Sequence, residues 1–142
     1  MTEPAFGWSE GIATAALVVS LLTAYRQHAL NKVLLDQANA ADAALKRARV
    51  SAKLVDDGRG FRLRVFNNGP AIARNVTLDF SECADLLDTE DIDDKLPLDM
   101  EPHQSVSLLA LVTFGTQSKY KLTLRWDDDS GKGNSAPVYV TI

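Results

Sequence analysis

The chain has 142 residues, 46% of them hydrophobic and 24% charged, with a net charge of −4 and one cysteine, Cys83. That length allows one small domain beside an anchor, and a lone cysteine excludes an internal disulfide, in keeping with a reducing compartment. Residues 1–50 hold five Lys/Arg against four Asp/Glu while 51–142 hold ten against fifteen, so the downstream part lacks the basic surface that phosphate contacts need, and nucleic acid is excluded as a partner.

The first element is an apolar stretch, Gly11 to Tyr25, uncharged throughout and closed by Arg26. Read from Pro4 it makes a helix about 33 Å long at 1.5 Å per residue, which matches the hydrocarbon core of a bilayer. Trp8 and Tyr25 would lie at the two interfaces and Gly11, Leu17, Val18, Leu21 and Leu22 within the anchor, with Glu10 near one end. A cleaved signal peptide fits poorly, because Glu3 and Glu10 precede the stretch and no Lys or Arg does. Arg26, Lys32, Lys46, Arg47 and Arg49 follow it, so the positive-inside rule predicts an outside N-terminus and a cytoplasmic C-terminal domain. The expected organisation is a tail and transmembrane helix over 1–25, a helical stalk over 26–49 and a β-domain over 50–142.

The stalk has no Gly or Pro from Ala24 to Arg49 and is rich in good helix formers, so it continues the anchor helix. A heptad seam runs through Ala13, Leu17, Ser20, Ala24, Gln27, Asn31, Leu34, Ala38, Ala41, Leu45 and Ala48, with Asn31 able to set register. Gly7 and Gly11 add a small-residue face at which membrane helices approach closely. A parallel homo-oligomer through the helix is one expectation; a lone helix, or one packed on its own β-domain, is the other.

From Val50 the periodicity becomes alternating. Val50–Asp56 and Phe61–Phe66 read as strands about an Asp57–Gly60 turn, with Phe61, Leu63 and Val65 inward and Arg62 and Arg64 outward. Asn67–Pro70 ends the second strand, and Asn75–Phe80 is the third. Ser81 to Gln104 reads as a long acidic connection with a short strand near Leu96 to Leu98. Ser105–Val112, Lys119–Trp126 and Ala136–Ile142 complete the set, with Asp127 to Asn134 as a turn. About seven short strands over some 90 residues predict an all-β immunoglobulin-like sandwich preceded by one long helix.

The stretch Arg64-Val-Phe-Asn-Asn-Gly-Pro-Ala-Ile-Ala-Arg-Asn-Val-Thr-Leu78 resembles the strand, Asn-x-Gly turn and Asn-Val strand of bacterial CARDB-type immunoglobulin-like domains. Pro102-His-Gln-Ser-Val-Ser-Leu108 is similar to their Pro-Gly-Glu-Ser turn, with His103 in place of Gly, and Tyr120 to Asp127 is similar to their penultimate strand. The resemblance covers most of 51–142 and implies adhesion, assembly or protein contact, with no catalytic residues to carry over.

Few residues suggest chemistry. His28, His103 and Cys83 have no metal-ligand spacing, and neither a GxSxG motif nor a nucleophile paired with a base is present. Gly131 to Ala136 matches GxGxxA, but a strand follows where a dinucleotide site needs a helix. Asp127 and Asp129 are weak calcium candidates that lack the remaining ligands of a calcium loop. The acidic run 81–104 reads as a solvated loop, with weak calcium binding or docking on a basic partner as the sharper alternatives. Arg62, Arg64 and Arg74 are expected near Lys119, Lys121 and Arg125 as a basic stripe on one sheet face.

The expectation is therefore a non-enzymatic, single-pass protein of the cell membrane, in contact with lipid and with an unidentified protein, and using no cofactor. Two other readings are an exported surface module held by an uncleaved signal anchor and a phage- or defence-associated membrane effector.

Overall fold

The computed structural model describes residues 7–142; Pro4 to Phe6 and Glu3, which the sequence reading includes in the anchor and tail, lie outside them. The chain divides into two compact units, Met1–Ala41 and Asp42–Ile142.

Helix α1, Trp8–Leu45, runs for 38 residues without a buried side chain, a length of about 57 Å at 1.5 Å per residue. The absence of Gly and Pro after Gly11 lets it continue unbroken. It stops four residues short of the expected Arg49. Ala48 leaves the helical path and is buried, and its amide donates to the Asp128 carboxylate at 2.9 Å. Ala48 is thus a core residue of the β-domain and leaves the helical seam.

Among the described residues, seven antiparallel strands form two sheets. The strands are β1 Val50–Asp56, β2 Phe61–Asn67, β3 Ala73–Asp79, β4 Leu98–Met100, β5 Ser105–Ala110, β6 Lys119–Asp128 and β7 Gly131–Thr141. One sheet is ordered β1-β2-β5 and the other β4-β3-β6-β7. Leu63 pairs with Leu54 and Leu108 across the first sheet, and Leu78 with Leu124 across the second. Their inward side chains share one core, where Leu63, Val65, Val76, Met100, Leu108, Leu122 and Leu124 are fully buried. Each such side chain contributes about 1.5–3 kcal/mol, which makes this packing the main support of the sandwich.

Four local expectations are corrected. The acidic connection is not an irregular loop: it holds a 3-10 turn at Ser81–Cys83, helix α2 at Thr89–Lys95 and strand β4. Asp88 caps α2 by accepting the Glu90 amide, while Cys83, Leu86, Leu87 and Ile92 bury their side chains. The short strand lies at Leu98–Met100 rather than Leu96–Leu98. Leu96 still closes α2, its amide donating to Ile92 O at 2.8 Å, and Pro97 has no N–H for a ladder.

The Asp127–Asn134 turn shrinks to Asp129-Ser130. The Asp128 side chain accepts the Ser130 and Gly131 amides, so pairing continues to Asp128↔Gly131, and the GxGxxA stretch is part of β7 rather than a loop. Finally, the basic stripe splits: Arg62 and Arg64 stand on β2 of the first sheet, and Arg74, Lys119, Lys121 and Arg125 on the second. Arg62, Arg74 and Arg125 are paired with Asp57 at 2.7 Å, Asp129 at 2.8 Å and Asp79 at 3.8 Å.

Candidate interaction surfaces

Along α1 every large apolar side chain is exposed, including the predicted anchor residues Trp8, Leu17, Val18, Leu21, Leu22 and Tyr25. Gly11 lies in the first turns of the helix with open space around it. Among the described residues, α1 is the helix long and apolar enough to cross a membrane. Two of its hydroxyls already have partners, since Thr14 donates to Glu10 O and Thr23 to Val19 O, each at 2.8 Å. A helix in hydrocarbon has no water to satisfy such groups, so this internal bonding suits it to lipid. Gly7 precedes α1, and its carbonyl accepts the Glu10 amide. Of the predicted seam residues, Asn31, Leu34, Ala38, Ala41 and Leu45 are all exposed.

The second sheet carries a carboxylate that the sequence reading missed. Side chains alternate along β6, so Tyr120, Leu122, Leu124 and Trp126 face the core, and the same parity carries Asp128 inward. Asp128 accepts the Ala48 amide on one oxygen and the Ser130 amide and hydroxyl on the other. Burial pushes its carboxyl up, but the Ser130 and Ala48 hydrogen bonds, with a contribution from the nearby Trp126 indole, outweigh that and hold it below the usual carboxylate range. The Trp126 Nε1 itself lies buried outside good hydrogen-bond geometry. The calcium candidates are separately engaged: Asp127 accepts the Gly133 amide at 2.8 Å and Asp129 pairs with Arg74. Among the described residues, no three His, Cys, Asp or Glu side chains are grouped to hold a metal ion.

A second missed residue is Asn67, fully buried at the end of β2. Its Oδ1 accepts the amides of Arg49 (3.1 Å) and Gly69 (2.9 Å). Its Nδ2 donates to the carbonyls of Ala71 (2.8 Å) and Met100 (3.2 Å). One amide side chain thereby joins the entry to β1, the β2–β3 turn and the end of β4. The Asn-x-Gly pattern is the signal that pointed to it. Its glycine is needed for space, because a Cβ on Gly69 would collide with the Arg49 backbone nitrogen and come within 2.7 Å of the Arg47 carbonyl oxygen.

The acidic helix α2 has a structural task. Asp91 accepts the Leu109 amide at 2.7 Å, and Lys95 donates to the Ser107 carbonyl at 2.8 Å while pairing with Asp91 at 2.7 Å. The Asp88 amide donates to Leu109 O. These contacts occupy the outer edge of β5, which would otherwise present free backbone groups to another strand. Cys83 is buried with its thiol pushed up to about 11, by desolvation first and then by Asp85 and Glu82, which disfavours the thiolate. His103 is exposed at positive φ in the β4–β5 turn, and its amide donates to Asn67 O; His28 is exposed on α1.

Exposed side chains mark two other parts of the β-domain. On the outer face of β1-β2-β5, Lys53 lies directly opposite Arg64, a like-charge arrangement that destabilises unless something compensates. Lys53 sits 5.9 Å from the Phe66 ring centroid, which compensates in part. Phe114, in the β5–β6 connection, is fully exposed, as are most of Tyr139 and about half of Leu111.

A family model described as "Domain of unknown function (DUF8453)" matches residues 7–141. No curated protein and no solved structure matches the chain.

Proposed function

The chain belongs to the DUF8453 family, and from that premise, with no activity attached to the family, we propose that it is a single-pass membrane protein whose β-domain docks another protein. The observation that carries this reading is α1, 38 residues with no buried side chain. Water would oppose so large an exposed apolar surface, whereas lipid favours it. The distribution of Lys and Arg supports an outside N-terminus and a cytoplasmic β-domain.

An immunoglobulin-like identity for the sandwich is supported by two features. Its strand order, β1-β2-β5 against β4-β3-β6-β7, corresponds to A-B-E against C′-C-F-G of that fold. Tyr120, at the start of the strand equivalent to F, accepts the Gln117 amide on its hydroxyl at 2.9 Å, as the tyrosine of the immunoglobulin E–F corner bonds a few residues upstream. Such sandwiches serve as contact modules, and the like-charged Lys53–Arg64 face and exposed Phe114 supply surface for that use. The role is non-enzymatic, because the carboxylates buried or ordered in this domain hold backbone amides in place.

The test is alkaline extraction of membranes that contain the tagged full chain, followed by protease treatment of sealed vesicles of known sidedness. Retention after extraction, with cleavage of the β-domain only from the cytoplasmic side, is the expected result. Release into the aqueous fraction refutes the anchor, and cleavage from the opposite side replaces the cytoplasmic reading with an exported one.

A further inference from the structure

We propose that the outer edge of β1 takes up an extended, acidic segment of a partner protein as an added strand, with its carboxylates set against Lys53 and Arg64. This rests on the docking reading above and names the chemistry of the segment that docks.

Two hydrogen bonds bracket the β1–β2 ladder, from the Asn68 amide to Arg49 O at 2.8 Å and from the Asp57 amide to Gly60 O at 3.1 Å. Bonded and non-bonded positions alternate along an antiparallel pair, so Ser51, Lys53 and Val55 turn their backbone groups to β2. Val50, Ala52, Leu54 and Asp56 turn theirs outward, and among the described residues no strand pairs with them. Strand β7 lies beside β1 across the sandwich without joining its ladder. The other edges are guarded. That of β5 is occupied by Asp91, Lys95 and the Leu86 carbonyl, β4 is three residues long, and β7 carries Pro137, which has no N–H to offer.

Charge selects the occupant. Among the described residues, Arg62, Arg64, Arg74 and Arg125 are the arginines on strands, and three of them are paired, with Asp57, Asp129 and Asp79. Arg64 is the exception: its cross-strand neighbour is Lys53, and neither forms an ion pair with a described residue. With Phe66 and Ser105 they border an open depression of about 310 Å³ on the outer face. Residues 51–142 carry ten Lys/Arg against fifteen Asp/Glu, so two neighbouring cations without a carboxylate mark the place where an acidic segment is complementary. An added strand turns every second side chain to this face, which sets alternate Asp or Glu residues beside Lys53 and toward Arg64. Lysine on an edge strand discourages indiscriminate pairing, and the same charge admits a segment of opposite sign. A second copy of β1 lacks that complementarity, because it brings another Lys53 to the same face.

The experiment is titration of the full chain in mild detergent with an end-blocked peptide of alternating glutamate and valine, read by amide hydrogen exchange. Binding should slow exchange at Val50, Ala52, Leu54 and Asp56 by about tenfold or more and leave the amides of β6 unchanged. Lysine in place of glutamate in the peptide, methylation of the backbone nitrogens on its pairing edge, and Lys53→Glu in the protein should each weaken binding by about tenfold. Lys121→Glu, on the other sheet, should not. Absence of binding, indifference to the methylation, or protection elsewhere in the domain overturns the added strand. Photocrosslinking in native membranes, from a reactive side chain at Ser51 or at Phe114, separates that failure from failure of the docking reading. Protein crosslinks from 51 accompany the expected peptide result. Crosslinks from 114 alone overturn the added strand and leave docking standing, and none from either position overturns both.

Discussion

Replacing Asn67 with alanine is expected to remove about 4 kcal/mol from the stability of the β-domain. The side chain is fully buried and makes four hydrogen bonds, to the amides of Arg49 and Gly69 and the carbonyls of Ala71 and Met100. Truncation strands all four backbone groups, each at about 1–3 kcal/mol if nothing replaces the partner. A water entering the vacated space can serve two or three of them, which brings the net loss to roughly 3–5 kcal/mol. Against a total of about 5–15 kcal/mol for a domain, and at about 4–8 °C per kcal/mol for one this small, Tm should fall by some 15–30 °C.

The assay is chemical and thermal unfolding of the full chain in mild detergent, followed through the near-ultraviolet circular dichroism of the buried Trp126. Asn68→Ala is the control: this neighbour is exposed, so its change should stay within about 0.5 kcal/mol. Asn67→Asp adds a second reading, because it sets a carboxylate against the two carbonyls that Nδ2 now serves. Its destabilisation should be greatest at neutral pH and ease in acid, as protonation restores one donor. A loss below about 1 kcal/mol for Asn67→Ala would refute the view that this side chain ties the three segments together.

Three more outcomes are expected. The Asp128 carboxyl is held below its ordinary value when folded, so its contribution is present above the unfolded value near 3.9 and is lost as pH falls through the folded one. Asp128→Asn should therefore narrow the gap between urea midpoints at pH 7 and pH 3, and an unchanged gap would count against its role. Gly69→Ala should destabilise by about 2–3 kcal/mol, because the new methyl group would meet the backbone of Arg47 to Arg49 rather than a flexible side chain; a stability change within error would refute that close approach. Cys83, its thiol raised to about 11, should react with an aromatic disulfide reagent at pH 8 only when denaturant unfolds the domain, and prompt reaction of the native chain would contradict its burial.

Much of the β-domain was legible because alternation has a strict period. Alternation alone places Leu63 and Val65 inward, and they lie in the core beside Val76, Leu108, Leu122 and Leu124. The same rule, carried one step beyond Trp126, places Asp128 inward, although in a run of three aspartates charge is a louder signal than parity. Asn67 reads from the sequence as the end of a strand and as part of an Asn-x-Gly pattern. Its four partners lie as far away as Met100, and no local pattern shows them. The acidic connection hides its structure for a similar reason. Its charge density resembles that of a solvated loop, while Leu86, Leu87 and Ile92 among the acids anchor α2.

The sequence by itself determined the long apolar helix, the change of period at Val50 and the existence of most strands, since these depend on near neighbours repeating every 3.6 or 2 residues. Tertiary structure alone decided where α1 stops and which distant backbone groups Asp128 and Asn67 satisfy. Those outcomes depend on hydrogen bonds between residues 18 to 80 positions apart, and a buried polar group is placed by the distant partners that satisfy it.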